Sequence, residues 1–381
     1  MNSNKQYKQA YVWIWLPEAT TPIVAGKLEL DNGRYFFNYG KSYLQSKNAI
    51  SINDEELPLK NGLLPLLDDL TMPGCIRDSS PDAWGRRVII NKLIGGEKDR
   101  LSSIEIDELT YLLESGSDRI GALDFQNSPT EYIPRSSRNP SLEELLESAE
   151  RVEKGIPLSP ELDLAIQHGS SIGGARPKSF IENKEKKYIA KFSSSTDLFN
   201  IVKAEFMAMR LANLAGLNVA NVALTSASRK DVLLIERFDR TLTEDGWQRK
   251  IMLSALTLFK LDEMMARYSS YENLAHIVRH KFTNASATLK ELFSRLVFNI
   301  LCGNTDDHAR NHAAFWDGLN LILTPAYDIC PQVRTGNVSS QAMLIKGTNN
   351  MSQLKLCLEA APIFMLSQSQ ANAIIEQQIE T

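Results

Sequence analysis

The sequence Asn304-Thr305-Asp306-Asp307-His308-Ala309-Arg310-Asn311 stands directly after an apolar helical segment and shortly before Ala326-Tyr327-Asp328. Asp306 and Asn311 are five positions apart, which is the D-x-x-x-x-N interval of catalytic loops for phosphoryl transfer. In such a loop the aspartate accepts the proton of the substrate hydroxyl, the asparagine binds one Mg²⁺, and a later aspartate binds another. Asp328 has the position of this later aspartate. Because short polar spacings also occur by chance in solvated acidic loops, the remaining chain must support this interpretation.

The composition limits the class of protein. The chain has 381 residues, 43% hydrophobic and 23% charged, as in a soluble globular protein of about two or three domains. Its net charge of −4 and its pI near 5.9 argue against a broad basic surface, so any DNA contact is expected to be shared with a partner. A reducing cytosol is favoured because the cysteines form no C-x-x-C pair: Cys75, Cys302, Cys330 and Cys357. The sequence predicts neither a signal peptide nor a membrane span, and therefore a cytoplasmic protein.

The N-terminal part is predicted to be a small β-rich module. Tyr11 to Trp15, Gly26 to Leu30 and Arg34 to Tyr39 are predicted strands, of which the first and last are rich in aromatic or β-branched residues, and Asp31-Asn32-Gly33 predicts a hairpin turn between the last two. The segment from Arg77 to Arg87 follows, and its serine and aspartate residues predict a helix cap. Its arginines are interpreted as ion-pair partners within the module.

A domain boundary is predicted after this module. The capped helix is expected to run through Val88-Ile89-Ile90 to Leu93 and to end at Gly95-Gly96. An exposed connector with three prolines extends from Asn127 to Pro140. Ser141-Leu142-Glu143-Glu144 is a capping-box pattern, which predicts the start of an amphipathic helix.

A segment rich in small residues, Ser170 to Lys178, precedes two predicted strands. Small residues allow backbone N–H groups to approach phosphate oxygens, and a lysine adds positive charge. The segment matches neither G-x-x-x-x-G-K-[ST] nor G-x-G-x-x-G, so an ordinary glycine hairpin is an equal alternative. In Tyr188-Ile189-Ala190-Lys191, strand alternation points Lys191 inward beneath the loop, like the lysine of V-A-I-K motifs, although a lone strand lysine is usually solvated.

The segments after Lys191 continue the same order. Glu205 lies fourteen positions later on a predicted helix, where its carboxylate could pair with the lysine or remain at the surface. Val232 to Arg240 is predicted to be a buried strand leading into a charged segment, where a hinge between two lobes would offer backbone groups to an adenine. From Ile251 onward apolar residues recur at helical intervals, so this half is predicted to be mainly helical.

Two pairs of histidines are each four positions apart, a spacing that is compatible with metal binding. His276 and His280 lack the H-E-x-x-H pattern, which favours a surface or half-buried position for both. His308 and His312 have the same spacing. We interpret His308 as a residue that orients Asp306 through a hydrogen bond from a ring nitrogen to a backbone carbonyl or carboxylate.

In this order, the segments resemble those of HipA-type serine/threonine kinases. The resemblance is carried by Ser171 to Lys178, Glu236-Arg237-Phe238-Asp239-Arg240, Asn304 to Asn311 and Ala326-Tyr327-Asp328, and it extends through Arg77 to Arg87 and Gly121-Ala122-Leu123. It therefore covers nearly the whole chain. It implies an α+β fold of the atypical, two-lobed protein-kinase type. The implied parts are a β-rich N-terminal subdomain (1–126), a nucleotide lobe with phosphate loop, lysine strand and hinge (127–240), and a mainly helical C-terminal lobe (241–381).

The resemblance implies a serine/threonine protein kinase that uses ATP and Mg²⁺ and acts as the growth-arresting toxin of a bacterial type II toxin–antitoxin pair. Its implied catalytic residues are Asp306 as base and His308 in support, and its implied metal ligands are Asn311 and Asp328. The implied ATP-binding residues are Ser171, Gly173, Gly174, Lys178, Lys191, Glu205, Glu236 and Phe238. Ser171 is also the implied autophosphorylation site, where the added negative charge would eject the loop from the ATP site.

The resemblance also implies partners. A helix-turn-helix antitoxin similar to HipB would bind operator DNA, so this chain would contact DNA only indirectly. The substrate would be a cellular protein such as a translation factor or an aminoacyl-tRNA synthetase. The alternative is a catalytically weak or inactive module that serves mainly as antitoxin partner and co-repressor. A metal-dependent hydrolase using Asp306, Asp307 and Asp328 is a third interpretation, but it leaves Lys178 and Lys191 without a role.

Several features depart from ordinary kinases. Asn304-Thr305 replaces the usual His-Arg, and Asp328-Ile329-Cys330 replaces D-F-G, so the usual activation-loop behaviour is not expected. Asp307 is a second candidate base, and we choose Asp306 because only Asp306 has the five-position interval to Asn311. The chain ends at Gln377 to Thr381 within a predicted helix, so the expected C-terminal lobe is either short or truncated.

Overall fold

The computed structural model describes residues 7–94, 106–135, 140–167, 169–172, 174–334 and 336–381. The chain divides into two compact units. The first consists of Met1–Val202 and Ala223–Met252, and the second of Lys203–Val222 and Leu253–Thr381. Both contain helices and strands, so the predicted α+β class is confirmed.

The N-terminal β-module is an antiparallel sheet in the first unit. Its strands are β1 (Gln9–Ile14), β2 (Ile23–Asp31), β3 (Arg34–Tyr39) and β4 (Leu123–Gln126), in the order β3-β2-β1-β4. The turn between β2 and β3 has positive φ at Asn32 (48°) and Gly33 (77°), the conformation that an Asn-Gly hairpin requires. The predicted hairpin is therefore confirmed.

Four helices follow the hairpin, and the first and last of them contact this sheet: α1 (Lys41–Leu44), α2 (Gly74–Arg77), α3 (Ala83–Ile94) and α4 (Glu108–Glu114). The predicted helix through Val88-Ile89-Ile90 to Leu93 is confirmed as part of α3, which begins at Ala83. The Asp107 side chain caps α4 by accepting from Thr110 N at 2.7 Å. Gly95-Gly96, the predicted end of α3, lies outside the described residues.

A second antiparallel sheet supports the lysine strand. Its order is β5-β6-β8-β7, with β5 (Lys178–Glu182), β6 (Lys187–Phe192), β7 (Val222–Ala227) and β8 (Lys230–Glu236); the hairpin β9 (Arg240–Thr243) and β10 (Gly246–Arg249) follows. Helices α5 (Leu142–Glu153) and α6 (Pro160–Gln167) lie beside it. One core joins side chains from α3, α5, α6 and the sheet, among them Trp84, Leu145, Ile166, Ala190 and Val232. The predicted capping box is confirmed, since Glu144 N donates to Ser141 Oγ at 3.2 Å and Ser141 N to a Glu144 carboxylate oxygen at 2.9 Å.

The second unit is mainly helical. Helix α7 (Ile201–Leu214) enters it, and it contains α8 (Ala255–Leu258), α9 (Tyr271–Lys281), α10 (Ala285–Cys302), α11 (Leu354–Ala360) and α12 (Gln368–Glu380). Strands β11 (Ile251–Ser254), β12 (Ala313–Trp316) and β13 (Leu321–Leu323) form a small sheet. Our prediction of helix from Ile251 onward is wrong at its start, because the backbone of β11 is used in this sheet. The chain becomes helical only after Ser254, whose hydroxyl accepts from Thr257 N at 3.2 Å.

Helix α10 places the loop that follows it. The helix buries one apolar face completely, including Leu289, Leu292 and Phe293. It ends at Gly303, whose φ of +73° is the left-handed conformation of a helix C-terminus. The residue that follows this helix end is Asn304, the first residue of the loop.

Among the described residues, no helix has the length and apolar character to span a membrane.

Candidate active site

The loop from Asn304 to Asn311 is fixed by its own amide side chains. Asn304 is buried, and its Nδ2 donates to the Asn299 side-chain oxygen at 3.0 Å, which ties the loop to α10. Asn311 Nδ2 donates to the carbonyl of Asp306 at 3.1 Å, and Asn311 N to the carbonyl of His308 at 2.8 Å. The five-position interval thus brings Asn311 back onto Asp306.

The two adjacent aspartates have opposite environments. Asp306 is exposed, whereas Asp307 is only 4% exposed. Partial burial raises the pKa of Asp306, and the negative charges of Asp328 and Asp307 raise it further against the opposing effect of His308. A carboxylate with a raised pKa accepts a proton more readily. This geometry favours Asp306 as the base.

Asp307 is anchored inside the unit. Its carboxylate accepts from Tyr271 Oη and lies 3.1 Å from His312 Nε2. Burial by itself raises the pKa of Asp307, but the charge and hydrogen bond of His312 and the hydrogen bond of Tyr271 hold it below the usual range. Tyr271 is completely buried and His312 is 3% exposed. Asp307 therefore supports the loop from within.

In the part of the chain that the structure describes, the Nδ1 atom of His308 does not make the hydrogen bond that the sequence suggested. We expected His308 to form a ring hydrogen bond beside Asp306, but within the described residues its Nδ1 is buried without a hydrogen-bond partner. The bond between a histidine ring and a carboxylate in this loop is made by His312 to Asp307. The physical reason is the 3₁₀ turn Ala309–Asn311, which reverses the chain and returns His312 to Asp307.

Among the described residues, no group of three or more His, Cys, Asp or Glu side chains has an arrangement that could hold a metal ion by itself. His276 and His280 are exposed on α9 with their rings stacked at a centroid distance of 4.4 Å, as the sequence favoured. Magnesium needs few protein ligands, because it usually retains water and binds substrate phosphates. One carboxylate and one amide oxygen are compatible with this preference.

Asp328 is held in an unusual backbone conformation. Its φ is +60°, which for a residue other than glycine costs about 1–3 kcal/mol and persists only where the surroundings impose it. Two positions earlier, the chain is fixed at Ala326, whose N donates to Asn218 O at 2.8 Å and whose O accepts from Ala220 N at 2.9 Å. The negative charge of Asp328 contributes to the raised pKa of Asp306. Asn311, 7% exposed, lies on the same loop as Asp306.

The first unit contains the predicted phosphate loop and two lysines. Lys178 on β5 is paired directly with Lys191 on β6, so both side chains lie on the same face of the sheet. They are 6% and 7% exposed, respectively. Two buried ammonium groups side by side are costly unless anions compensate them. The predicted inward orientation of Lys191 is confirmed.

The glycine-rich loop lies against Lys178. Gly174 has a φ of +89°, and a Cβ at this position would lie 2.4 Å from Lys178 Nζ. Ser171 is 2% exposed and its hydroxyl donates to the carbonyl of Asp118 at 3.0 Å. Gly173 lies outside the described residues.

The remaining predicted ligands lie in different environments. Glu205 is 3% exposed on α7 in the second unit, whereas Lys191 belongs to the first. Glu236 ends β8, and its carboxylate is 2.7 Å from Lys186 Nζ. Phe238 follows it and is half-buried. Because the Glu236 side chain is already engaged, this segment would offer an adenine its backbone groups.

Replacing Tyr271 by phenylalanine tests the anchor of Asp307. The change removes only the hydroxyl that donates to the buried carboxylate, so we expect the free energy of unfolding to fall by about 1.5–3 kcal/mol. Urea unfolding followed by circular dichroism measures it. Tyr268→Phe is the matched control, since Tyr268 is 50% exposed. Equal stability of the two variants would contradict the anchoring role.

Two family models match the chain: the HipA-like C-terminal domain over residues 170–381 and the HipA N-terminal domain over residues 15–126. A serine/threonine-protein kinase toxin HipA of Shewanella oneidensis is 28% identical over 242 residues, which are 56% of this chain and 54% of that protein. A protein of Sinorhizobium fredii described as a kinase is 26% identical over 159 residues, 40% of this chain and 36% of the relative. The matches thus span about half, or less, of these relatives' length.

A solved structure has the same fold. In the complex of Shewanella oneidensis HipA, HipB and operator DNA, one chain superposes with a TM-score of 0.70 and 19% identity, covering 97% of this chain and 88% of that chain. The predicted α+β, kinase-like fold is therefore confirmed. Because the C-terminal family model alone spans more than half of the sequence, the chain belongs to the HipA family.

Proposed function

We propose that this chain is a protein kinase that transfers the γ-phosphoryl group of Mg·ATP to a serine or threonine of a cellular protein. The observation that carries the proposal is the Asn304 to Asn311 loop. It exposes Asp306 with a raised pKa, holds Asn311 against the same residue, and has Asp328 near by. The hydrolase interpretation gives no role to the buried Lys178–Lys191 pair, which suits the phosphates of a nucleotide.

The proposed roles follow from these environments. Lys178 and Lys191 bind phosphate oxygens. The oxygen of the substrate hydroxyl bonds to the γ-phosphorus while the bond from that phosphorus to ADP breaks, and Asp306 accepts the proton of the hydroxyl. Asn311 and Asp328 would hold Mg²⁺, which when bound neutralises charge on the phosphates. Glu205 is proposed as a further residue of the ATP site, as the family resemblance implies. Glu236 and Phe238 form the adenine hinge, and Ser171, Gly173 and Gly174 cover the phosphates.

The toxin context is proposed from the relatives. The Shewanella oneidensis relative is named a serine/threonine-protein kinase toxin, and the solved complex contains HipA, HipB and operator DNA. We infer that this chain pairs in the cytoplasm with a helix-turn-helix antitoxin that supplies the DNA contact. The net charge of −4 supports an indirect contact with DNA. A translation factor or an aminoacyl-tRNA synthetase remains the expected type of substrate, and autophosphorylation is proposed at Ser171.

Asp328→Asn tests the metal-binding half of the proposal. Asparagine tolerates positive φ well, so this change removes charge while it preserves the backbone. We expect incorporation of radiolabelled phosphate from ATP, into the chain or added translation proteins, to fall at least about a hundredfold. Wild-type transfer should require Mg²⁺.

Glu376→Gln is the matched control, because Glu376 is exposed on α12 and its replacement changes charge equally. Wild-type transfer that Asp328→Asn retains would overturn the proposed metal site. A wild-type chain that neither transfers phosphate nor binds Mg·ATP at about millimolar concentration, an ordinary upper limit for nucleotide sites, would favour the alternative of an inactive antitoxin partner.

A further inference from the structure

The phosphate loop is held by the first turn of α3, a segment of the N-terminal module. Asp82 Oδ2 accepts from Gly174 N at 2.7 Å, and Trp84 N donates to Gly174 O at 3.0 Å. Both backbone groups of Gly174 are therefore bound by the same turn. From the sequence we interpreted this segment as a helix cap with ion pairs. Arg86 forms such a pair, with its Nη2 2.6 Å from a Glu108 carboxylate oxygen. The hydrogen bonds to Gly174 were not predicted.

Two further hydrogen bonds extend the contact along the loop. The Trp84 indole Nε1 donates to the carbonyl of Lys178 at 2.8 Å, and Arg87 Nη2 donates to the carbonyl of Ala175 at 2.5 Å. Trp84 is completely buried. The turn thus binds Gly174, Ala175 and Lys178 through their backbone, independently of their side chains.

Close approach of α3 to the loop depends on Gly85. A Cβ at this position would lie 2.3 Å from the carbonyl oxygen of Ser170, a distance that no side-chain rearrangement can relieve because the obstacle is backbone. Elsewhere in a helix, alanine would be more favourable than glycine by about 1 kcal/mol. Gly85 therefore serves the contact with the loop rather than the helix.

This contact lies beside the Lys178 ammonium, since a Cβ on Gly174 would meet Lys178 Nζ at 2.4 Å. Gly174 packs against Lys178 Nζ, and the Lys178 carbonyl is bound by Trp84. A lysine side chain loses about 2 kcal/mol of rotamer entropy when it is fixed. A site that fixes it before the ligand arrives binds more tightly, since the ordering cost is removed from binding.

We propose that Asp82, Trp84 and Arg87, here named the α3 anchor, are positioning residues that preorganise the phosphate loop and Lys178 for nucleotide phosphates. This inference rests on the proposed kinase function. None of the three belongs to the Asn304 to Asn311 loop. The α3 anchor therefore acts on the affinity for Mg·ATP and leaves the transfer rate at saturating ATP unchanged.

The test uses the full chain and two measurements. Hydrogen exchange of the segment from Gly174 to Phe180 in nucleotide-free protein reports whether the loop is held, and Mg·ATP titration with steady-state kinetics reports the consequence. We expect Asp82→Ala and Gly85→Ala to speed exchange in this segment and to raise Kd and KM for ATP about five- to tenfold, because part of the cost of ordering the loop then falls on binding, with kcat unchanged. Asp82→Asn retains an acceptor for Gly174 N and should restore most of the affinity.

Lys92→Ala is the control, because Lys92 lies on the same helix and its Nζ lies 3.9 Å from a Glu114 carboxylate oxygen, away from the loop contacts of Asp82, Trp84 and Arg87. Exchange that is unchanged in both Asp82→Ala and Gly85→Ala would overturn the inference, as would faster exchange with unchanged ATP affinity. A fall in kcat at unchanged KM would also overturn it. If the wild-type chain binds no Mg·ATP, the proposed kinase function fails, and the exchange result alone decides whether the α3 anchor holds the loop.

Discussion

Asp306→Asn is expected to lower the rate of phosphoryl transfer by about 10²–10⁴-fold, the usual contribution of a positioned general base. The amide has nearly the same shape as the carboxylate, but it cannot take the proton of the attacking hydroxyl. The Asp306 side chain is exposed, so the fold should tolerate the change. Affinity for ATP should stay unchanged, which a titration with Mg·ATP measures beside the rate of transfer.

The pH dependence gives an independent check. Partial burial and the charges of Asp328 and Asp307 raise the pKa of Asp306, and a base is active only when deprotonated. The wild-type rate should therefore rise with pH through this raised pKa and then level off. In Asp306→Asn, the rise of the transfer rate with pH should disappear together with most of the activity.

Asp307→Asn is the matched comparison, because it makes the same chemical change one position away. Asp307 is buried against Tyr271 and His312, so its replacement should lower stability, while the folded fraction keeps most of its transfer rate. A fully folded Asp307→Asn variant as inactive as Asp306→Asn would contradict the choice of base. So would an Asp306→Asn variant with the wild-type rate.

The features that the sequence predicted are local ones. The Asn-Gly hairpin and the capping box at Ser141 depend on neighbouring residues, so their patterns could be read directly. The orientation of Lys191 follows from strand alternation. The five-position interval from Asp306 to Asn311 is also local. One turn of the chain brings the Asn311 side chain into a hydrogen bond with the Asp306 carbonyl.

The features that it missed need partners far away in the chain. Nothing near Asp307 indicates that Tyr271 bonds to it, and His312 drew notice only for its spacing from His308. The register that sets Lys178 beside Lys191 is fixed by pairing within a sheet. Leu253 had helical spacing, but the hydrogen bonds of a sheet outweighed that periodicity.

The charged cluster beyond β8 combines both cases. Glu236-Arg237-Phe238-Asp239-Arg240 was evident as a motif, but its partners lie more than a hundred residues earlier. Arg237 donates to Asp118 at 2.8 Å, and Asp239 accepts from Gly121 N at 2.8 Å. These contacts join the hinge segment to the N-terminal module within the first unit.

Asp239→Ala is expected to lower the free energy of unfolding of this unit by about 3–5 kcal/mol, the cost of removing one partner from a buried ion pair. The Asp239 carboxylate binds Arg237 at 2.9 and 2.8 Å and Arg240 at 2.8 Å, and these side chains are at most 3% exposed. Without it, two guanidinium groups and Gly121 N lose their shared acceptor. Urea unfolding followed by tryptophan fluorescence measures the loss, since four of the five tryptophans belong to this unit.

The stabilisation should disappear in acid. Burial by itself raises the pKa of Asp239, but Arg237 and Arg240 outweigh this effect and hold the pKa below the usual range. A carboxyl with a depressed pKa stabilises the fold above its unfolded pKa of about 3.9, and this contribution is lost as the pH falls through the folded pKa. The difference between wild type and Asp239→Ala should therefore be constant near neutral pH and shrink below about pH 4.

Asp245→Ala is the control for charge, because Asp245 is exposed in the turn between β9 and β10. A surface change of this kind should stay within about 0.5 kcal/mol of wild type. If the free energy of unfolding falls no further in Asp239→Ala than in Asp245→Ala, desolvation of the buried charges offsets their attraction completely. The cluster would then contribute specificity of contact between hinge and module, and stability of the first unit would rest on its apolar core.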